Sequence, residues 1–554
     1  MTSTPNAAAT ATPAPYPPDT DRHFQIASWL PLISHNPHVG FGGRSWLGAR
    51  LVLEPLFEFD AGLNPVLLLS SEWPTFDNGL LDAHGRWVTW KLREGVIWHD
   101  GQPFTAADVI ATWRFAADPD GTAEGTRTTG NSFALVNTIE RIDDHTVTIH
   151  FSQSNPNWFD TFRGGDGVIL PAHIFEPLIG KFTSYEDEVN QAPVGTGPWK
   201  IVESNLSKHQ ARYERFEGYW DETRQAFDTV ELQFLTGDPM SNAMRVLETG
   251  DADYAPGLQM LSGEQLQGIG ESDTGRLAVI PGLGIETLFL NFTDPRGREG
   301  QPRAEPGNPH RYFANLTVRQ AVSLAIPRDR LAEAYGDIAN EPFVYPIVAP
   351  EAYRGTGSMT GHNLDLARTM LDGIGFNGGS LLLQTSVDPS RQLAQEIIAE
   401  ALERIGFAVE LKSVDAGVFF SHDPENPDTA SHFYADMQIF TPAAPSSPYP
   451  LEWAERFRSD RIASSANGWS EPNISRYANP EFDMLHNQAK TEMRPDIQAG
   501  LWHRMMTILN EDAVIIPLVR RNGLAAVSNR VHPAGFSPWA VAPSWNLQHW
   551  TIDS

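Results

Sequence analysis

Histidines and carboxylates stand close enough in this chain to raise the question of metal chemistry. His35 and His38 are three residues apart, and His99 is followed directly by Asp100. Paired histidines on a helix can bind zinc through their imidazole nitrogens. However, His35 and His38 flank an Asn-Pro dipeptide, which predicts a loop, and the sequence suggests no third ligand. We therefore predict no metal site and no cofactor.

Hydrolytic chemistry has no local motif in this sequence. Serine, histidine and aspartate are plentiful, but neither a Gly-x-Ser-x-Gly elbow nor a His-Glu-x-x-His pair occurs. The chain contains no cysteine, which excludes disulfides, thiolate metal ligation and thiol catalysis. We assign no catalytic residue.

Arginine and tryptophan side chains are the better candidates for binding chemistry. Arg44, Arg520 and Arg521 could each pair with a carboxylate through bidentate hydrogen bonds, and solvated surface arginine is an equally good interpretation. Most of the 16 tryptophans are expected in the core. Three that lie in loop-like segments could instead stack on a ligand, because pockets favour aromatic side chains; these are Trp46, Trp453 and Trp469.

A strand, a tight turn and a capped helix follow one another between residues 88 and 113. Residues 88–93 alternate apolar and polar, which predicts a half-buried strand, and Asp100-Gly101 predicts a turn. Thr105 and Asp108 stand three apart, as the two partners of a capping box do, and flanking apolar residues suit a hydrophobic staple.

Later segments predict further α and β elements. Thr317 and Gln320 can form a capping box at the start of a helix that runs to residue 326. Residues 380–411 are typical of a βαβ unit, with a strand on each side of a helix that ends at Gly406. The apolar stripe of that helix is predicted to consist of Leu393, Ile397, Ala401 and Ile405.

The segment from Trp90 to Val109, WKLREGVIWHDGQPFTAADV, resembles the signature of the family 5 extracytoplasmic solute-binding proteins of bacterial ABC importers. This family includes the dipeptide- and oligopeptide-binding proteins, and its signature reads roughly "lre-gvkwhDGepftAeDVvftw". Shorter matches follow at 193–200 (PVGTGPWK), 288–292 (LFLNF) and 316–326 (LTVRQAVSLAI). The resemblance extends over about residues 24–550.

This resemblance implies an α/β fold of the two-lobed periplasmic-binding-protein type, class II or cluster C. The first lobe would carry an extra domain, and two crossover strands would join the lobes. We expect residues 21–60, 190–285 and 520–554 in the core of lobe I, residues 61–189 in the extra domain and residues 286–519 in lobe II. A chain of 554 residues is too long for one hydrophobic core. The ligand would be enclosed by hinge closure.

The function that the resemblance implies is capture of a peptide-like solute and its delivery to a membrane ABC permease. A monomer is expected. An oligosaccharide, an opine or another non-peptide solute is the alternative. A hydrolase or a sensor subunit built on the same fold is the rival from another class. The formal charge of −29 repels phosphate backbones, so nucleic acid is not an expected partner.

Ligand contacts carried over from the family lie in four segments. They are Phe41, Gly43, Arg44, Ser45 and Trp46 in the first loop, Phe289 and Asn291 on a crossing strand, Phe440, Thr441 and Trp469 in lobe II, and Arg520 and Asn522 after the returning strand. The family's peptide binders hold the ligand α-amine with an aspartate after the strand that corresponds to residues 434–440. No acid occurs in Thr441–Pro448 here, and Asp436 matches only the earlier, structural aspartate. Capture of a free N-terminus is therefore in doubt.

Residues 2–20 are rich in Ala, Thr and Pro, a composition that does not form a core. In this family such a segment commonly tethers a lipoprotein to its lipidated cysteine. We expect a disordered tether over 1–20 and a periplasmic or extracytoplasmic protein whose signal and anchor cysteine were removed.

Overall fold

The computed structural model describes most of the chain as mixed α and β structure, as the sequence predicts. The described residues are 22–39, 43–118, 129–205, 210–222, 226–234, 238–261, 265–266, 272–297, 302–339, 341–357, 361–540 and 542–553. The tether expected over residues 1–20 and the candidate Phe41 both lie outside this set.

The β-strands span the whole described chain. In order they are β1 His23–Ser28, β2 Phe57–Phe59, β3 Pro65–Leu67, β4 Ser70–Glu72, β5 Trp87–Leu92, β6 Val136–Asp143, β7 Thr146–Phe151, β8 Trp199–Asn205, β9 Gln210–Arg215, β10 Thr229–Phe234, β11 Tyr254–Pro256, β12 Gly275–Leu290, β13 Glu341–Pro342, β14 Gly379–Ser386, β15 Phe407–Val414, β16 Met437–Phe440, β17 Ile515–Ser528, β18 Val531–His532 and β19 Thr551–Ile552.

The α-helices are concentrated in the second half of the chain. They are α1 Gly43–Val52, α2 Ala106–Ala116, α3 Ala172–Phe175, α4 Glu188–Gln191, α5 Pro239–Met244, α6 Leu316–Ala325, α7 Arg328–Tyr335, α8 Leu364–Gly373, α9 Pro389–Glu403, α10 Ala416–Phe419, α11 Leu451–Ala454, α12 Pro480–Ala489 and α13 Pro495–Glu511. A π-helical turn, Arg245–Thr249, continues α5.

One large mixed sheet runs through the molecule in the order β15-β14-β16-β12-β17-β11-β1-β10-β9-β8. Strands β12 and β17 are its longest members, at 16 and 14 residues, and they pair antiparallel along their length. One end of this pair adjoins β11 and β1, and the other end adjoins β16 and β14. The pair therefore crosses between two lobes, which confirms the two-lobed fold with two crossover strands.

Each lobe has its own hydrophobic core. Phe24, Trp199 and Tyr213 belong to the core of the first lobe, around β1, β8 and β9. In the second lobe, α6, α7 and α9 pack on β14 and β15, with Leu383 and Ile398 fully buried. Strands β14 and β15 are parallel and joined through α9, which confirms the βαβ unit.

A separate four-stranded sheet, β4-β5-β7-β6, forms within the first half of the chain. Trp90 and Trp98 are buried in the core beneath this sheet, which extends to Leu283 and Ile285 of β12. The capping box at the start of α2 is present, because Thr105 accepts from the backbone of the first turn and Asp108 accepts from the Thr105 N–H. This block packs beside the first lobe.

Two local expectations are wrong. Asn315, not Thr317, caps α6, because the helix begins two residues earlier and Asn315 Oδ1 accepts from the Thr317 N–H at 2.9 Å. Leu393 is 42% exposed, since the buried face of α9 runs through Ala394 and Ile398 instead. The other three residues of the predicted apolar stripe, Ile397, Ala401 and Ile405, are buried.

Candidate functional site

The two crossing strands lose their regular pairing where the lobes join. Shifts in register occur between Ile280 and Gly284 and between Glu286 and Thr287 of β12. Gly282 lies within the first break, and a Cβ atom there would come 2.0 Å from the carbonyl oxygen of Arg521. The close approach of the two backbones therefore requires glycine. Irregular pairing of this kind bends a strand and weakens its ladder locally, which makes this region the natural hinge.

A buried carboxylate ties the hinge to the second lobe. Glu286 is fully buried, its Oε1 accepts from Arg391 Nε at 2.9 Å, and its Oε2 accepts from Thr441 Oγ1 at 2.6 Å. Arg521 Nη1 lies 3.3 Å from Oε2. Burial by itself would raise the pKa of Glu286, but the two guanidinium groups and the Thr441 hydroxyl outweigh it and hold that pKa below its usual value.

An apolar pocket lies beside this cluster at the hinge. Phe289 and Phe440 stack with ring centroids 4.6 Å apart, and both rings are buried. The pocket lies between Leu283, on β12, and Trp453, and it is too small for a solute, at about 10 Å³. Its residues hold the crossing strand against the second lobe.

A larger cavity of about 630 Å³ opens between the lobes. One wall comes from the first lobe and its extra sheet block, and the other comes from residues 445–455 and Lys490 of the second lobe. The residues that line it are Trp46, Ser132, Leu135, Gln153, Ser154, Asn155, Pro156, Asn157, Asp160, Thr161, Arg163, Gly164, Gly165, Asp166, Pro445, Ser446, Leu451, Glu452, Glu455, Lys490, Pro538, Trp539 and Ala540. Its volume is within the range of small-molecule sites.

Trp46 and Asp166 form one corner of this cavity. Trp46, on α1, donates from Nε1 to Asp166 Oδ1 at 3.1 Å. The indole ring lies against Gly165, where a Cβ atom would come 2.3 Å from Trp46 Cδ1. Burial raises the pKa of the Asp166 carboxyl, while the Trp46 hydrogen bond and the nearby charge of Arg163 oppose that shift without cancelling it.

Arg163 spans the cavity from one lobe to the other. Its Nε donates to Asp160 Oδ1 at 3.0 Å, and its Nη1 lies 3.5 Å from the buried Glu58 carboxylate. Its Nη2 donates to the main-chain carbonyl of Ser446, in the second lobe, at 2.6 Å. Nη1 also donates to the carbonyl of Trp539. Arg163 is therefore held by acids of the first lobe and bonds directly to the second.

The histidines singled out by spacing have structural partners. His35 contacts the Gln191 carbonyl and the Tyr213 hydroxyl through its two ring nitrogens, and His38 contacts Thr129 and the Val168 carbonyl. Within the described part of the chain, no three histidine, aspartate or glutamate side chains gather as a metal ion would need.

The predicted contact residues do not all come together. Trp46 lines the inter-lobe cavity, Phe289 lines the small pocket, and Thr441 bonds to Glu286. Ser45 is buried, and none of the described residues forms a hydrogen bond with its hydroxyl. Gly43 and Arg44 begin α1, and their side chains lie outside the described set.

Other predicted residues lie inside the second lobe or along β17. Asn291 donates to the Phe433 and Ala435 carbonyls, so its amide serves the fold. Trp469 is 7% exposed and packs on His432. Arg520, on β17 with Asn522, donates from Nε to the carbonyl of Gly282.

Asp436 has the structural role that its position suggested. The carboxylate is fully buried and accepts from both Nη atoms of Arg296, from His310 Nε2 and from the Leu382 N–H. The Nδ1 atom of His310 accepts from the Phe313 N–H, which leaves the ring proton on Nε2. These hydrogen bonds lower the pKa of Asp436 although burial opposes them.

Sequence reasoning missed three residues that matter here, Asp166, Arg163 and Glu286. Asp166 occurs in the run Gly164-Gly165-Asp166-Gly167, where an acid among turn-forming glycines was the available signal. Nothing in the sequence marks Arg163 or Glu286, because, apart from Asp160, the partners named here are 105 residues or more away along the chain.

A hinged pair of lobes with a cavity between them defines the class of two-lobed solute-binding proteins. The chain belongs to the family 5 bacterial extracellular solute-binding proteins, because the model of that family's middle region matches residues 66–453. Members of this family bind solutes and are not enzymes.

Individual relatives agree with this assignment. The glutathione-binding protein GsiB of Pectobacterium atrosepticum is 24% identical over 85% of this chain and 84% of its own length. The ABC transporter substrate-binding protein CtaP of Listeria monocytogenes superposes with a TM-score of 0.74 at 19% identity, over 96% of this chain and 99% of CtaP. The periplasmic binding protein DppA of Helicobacter pylori, in complex with the peptide STSA, superposes with a TM-score of 0.66 at 19% identity, over 96% and 98% of the two chains.

Members of the family act outside the cytoplasmic membrane. Among the described residues, no helix combines the length and the apolar character needed to cross a bilayer.

Proposed function

We propose that this protein captures a peptide-like solute in the cavity between its lobes and delivers it to an ABC permease. The observation that carries the proposal is the cavity of about 630 Å³, with walls from both lobes and a hinge of two irregular strands beside it. A solute that contacts both walls stabilises the closed form, and closure in turn identifies the loaded protein to the permease.

The chemistry of the walls suits a peptide main chain. Side-chain amides, hydroxyls and carboxylates alternate with Trp46, Leu135, Leu451 and Trp539 around the cavity. Polar groups of this kind, with bridging waters, can bind amide groups without fixing the solute's side chains. The names of GsiB and of the DppA–peptide complex describe solutes with peptide bonds, which supports the same class for this chain.

A non-peptide solute, such as an oligosaccharide or an opine, is the second candidate. The observation that favours it is the absence of any acid in Thr441–Pro448, at the lobe II wall. A peptide amine bound by that segment would find no carboxylate within it; the acids of this wall, Glu452 and Glu455, lie further along the chain. Among the predicted contacts, Trp46 serves either class, because an indole face can stack on a sugar ring or on an apolar peptide side chain.

The remaining features of the proposal follow the family. The protein acts as a monomer without turnover, at the outer face of the cytoplasmic membrane, and the Ala/Thr/Pro-rich residues 1–20 link it to a lipid anchor. Residues 61–189 form the extra domain of lobe I, and residues 286–519 form lobe II.

The experiment is identification of the bound solute. The purified protein is denatured, and the released small molecules are analysed by mass spectrometry. Short peptides support the proposal, and a sugar or opine replaces it with the second candidate. If nothing is released, a thermal-shift screen compares a tripeptide pool with an oligosaccharide pool, and stabilisation by only the sugars contradicts peptide capture.

Small-angle scattering measures closure in the same samples. A solute enclosed between the lobes reduces the radius of gyration relative to the same protein without solute. Binding without compaction contradicts capture by hinge closure.

A further inference from the structure

Only one of the two carboxylate oxygens of Asp166 accepts a hydrogen bond from a described residue. Trp46 Nε1 donates to its Oδ1 at 3.1 Å, but no described residue donates to its Oδ2 or forms an ion pair with it. The side chain is half-buried in the wall of the inter-lobe cavity. A desolvated carboxylate costs free energy unless a cation or donor satisfies it.

The nearest cation is engaged elsewhere. Arg163 directs Nε to Asp160, Nη1 to Glu58 and the Trp539 carbonyl, and Nη2 to the Ser446 carbonyl. Glu58 is itself fully buried, so Arg163 cannot turn to Asp166 without leaving that acid unpaired. Asp166 therefore faces the cavity with one oxygen free.

The cavity as a whole has an excess of negative charge. Four carboxylates line it, Asp160, Asp166, Glu452 and Glu455, against the two cations Arg163 and Lys490. Arg163 is matched by Asp160, and Glu455 is paired with Arg461 at 3.1 Å. Asp166 and Glu452 lie on opposite walls; Glu452 is close enough to Arg456 to interact with its charge, and Lys490 is the other cation of the lining.

A second polar group in the same wall also lacks a partner. Asn155 lines the cavity and is 6% exposed. Its side-chain oxygen accepts from the Asn157 N–H at 3.0 Å, but its amide nitrogen donates to no described residue. Its amide nitrogen is not enclosed by protein, so it can donate to an acceptor that a ligand supplies in the cavity.

Trp46 is fixed in place by its packing. The ring lies against Gly165, where any larger residue would collide with it, and its N–H is used by Asp166. The indole thus orients the carboxylate and adds an aromatic face to the same corner, which attracts a cation.

From this arrangement we propose that Asp166 and Trp46 form a subsite for a primary ammonium group of the solute, and that Asn155 donates to a carbonyl oxygen of the same solute elsewhere in the cavity. One free carboxylate oxygen matches the compact charge of an ammonium better than the fork of a guanidinium. The inference rests on the proposed function. The amine of the solute would then be bound at the wall of the first lobe and not in lobe II, where Thr441–Pro448 contains no acid.

Two matched peptide libraries test the subsite. One is a tripeptide library without lysine and arginine, and the other is the same library with its N-termini acetylated, so that only the ammonium differs. Dissociation constants are measured by calorimetry for the wild type, for Asp166→Asn and for the exposed control Asp77→Asn. Asn retains an oxygen for the Trp46 N–H, and circular dichroism and thermal melting verify the fold of each variant.

The expected result is a preference of about 30-fold or more for the free amines in the wild type and in Asp77→Asn. In Asp166→Asn the preference disappears, because affinity for the free amines falls to that for the acetylated peptides. Trp46→Phe, which keeps an aromatic ring but removes the N–H, reduces the preference partly.

Two other outcomes overturn the inference in distinguishable ways. Equal binding of both libraries by the wild type, or an unchanged preference in Asp166→Asn, overturns the subsite and leaves peptide capture intact. Failure of both libraries to bind overturns the proposed peptide function, and the subsite with it.

Discussion

Arg163 Nη2 donates a hydrogen bond of 2.6 Å to the carbonyl oxygen of Ser446, across the cavity between the lobes. The donor belongs to the first half of the chain and the acceptor to the second lobe, 283 residues later. Because the acceptor is a main-chain oxygen, this contact depends on the position of the lobe and not on the residue at 446. It therefore couples lobe closure to a side chain held by Glu58 and Asp160.

Arg163→Gln should destabilise the protein by about 3 kcal/mol, because it leaves the buried Glu58 carboxylate without its partner charge. Urea denaturation followed by tryptophan fluorescence measures the change. The double variant Glu58→Gln with Arg163→Gln is the control and should recover part of the loss. A single variant within about 0.5 kcal/mol of wild type would contradict the assigned role of the pair.

Glu286→Gln should reduce the pH dependence of stability in the acid range. The folded pKa of Glu286 is lowered, so its contribution is fully present above the unfolded pKa and is lost as pH falls through the folded pKa. At neutral pH the substitution should cost about 3 kcal/mol, because Arg391 and Arg521 lose their shared anion.

The difference in unfolding free energy between wild type and Glu286→Gln, measured from neutral pH to pH about 3, isolates this group from other titrating acids. That difference should shrink toward low pH. A constant difference across the range would mean that Glu286 is already protonated in the native protein.

Gly282→Ala should destabilise the hinge, since the added Cβ would lie 2.0 Å from the Arg521 carbonyl. We expect a loss of about 2 kcal/mol, the usual scale for steric strain in a packed site. Gly500, within α13, is the matched control because a Cβ atom added there would have no neighbouring atom within 4 Å. Gly500→Ala should instead stabilise by about 1 kcal/mol. Equal effects of both substitutions in urea denaturation would refute the steric argument.

His99 should remain neutral at pH 5.5. Burial lowers its pKa to about 4, although its hydrogen bond to the Gly197 carbonyl opposes the shift. Nδ1 accepts from the Gly195 N–H, so the proton resides on Nε2. Nitrogen-15 NMR of labelled histidine reads this tautomer directly.

The unfolded protein binds a proton at His99 more readily than the native protein does. The contribution of His99 to the free energy of unfolding is therefore fully present above the unfolded pKa of about 6.5, and it is lost as pH falls toward 4. His99→Gln should remove that part of the pH dependence. An imidazolium signal from His99 at pH 5.5 would show that water reaches the ring.

Local sequence signals predicted the elements that depend on neighbours along the chain. The strand at 87–92, the turn after it and the Thr105–Asp108 cap follow from alternation and spacing, and the structure has each of them. Family resemblance extended this to two lobes and two crossing strands. The start of α6 and the exposure of Leu393 were predicted wrongly. The free-energy difference between competing cap residues, or between neighbouring apolar positions, is smaller than the free energy that tertiary packing contributes.

The chain's own residue order decided which segments become strands, helices and caps, because those choices depend on interactions over a few residues. Only the tertiary structure decided that Asp166 has a free oxygen in a cavity, that Arg163 reaches Ser446, and that Glu286 joins Arg391 to Arg521. Many of the groups that set desolvation and charge pairing at these sites are more than a hundred residues apart in sequence, and no local pattern records which distant groups folding brings together.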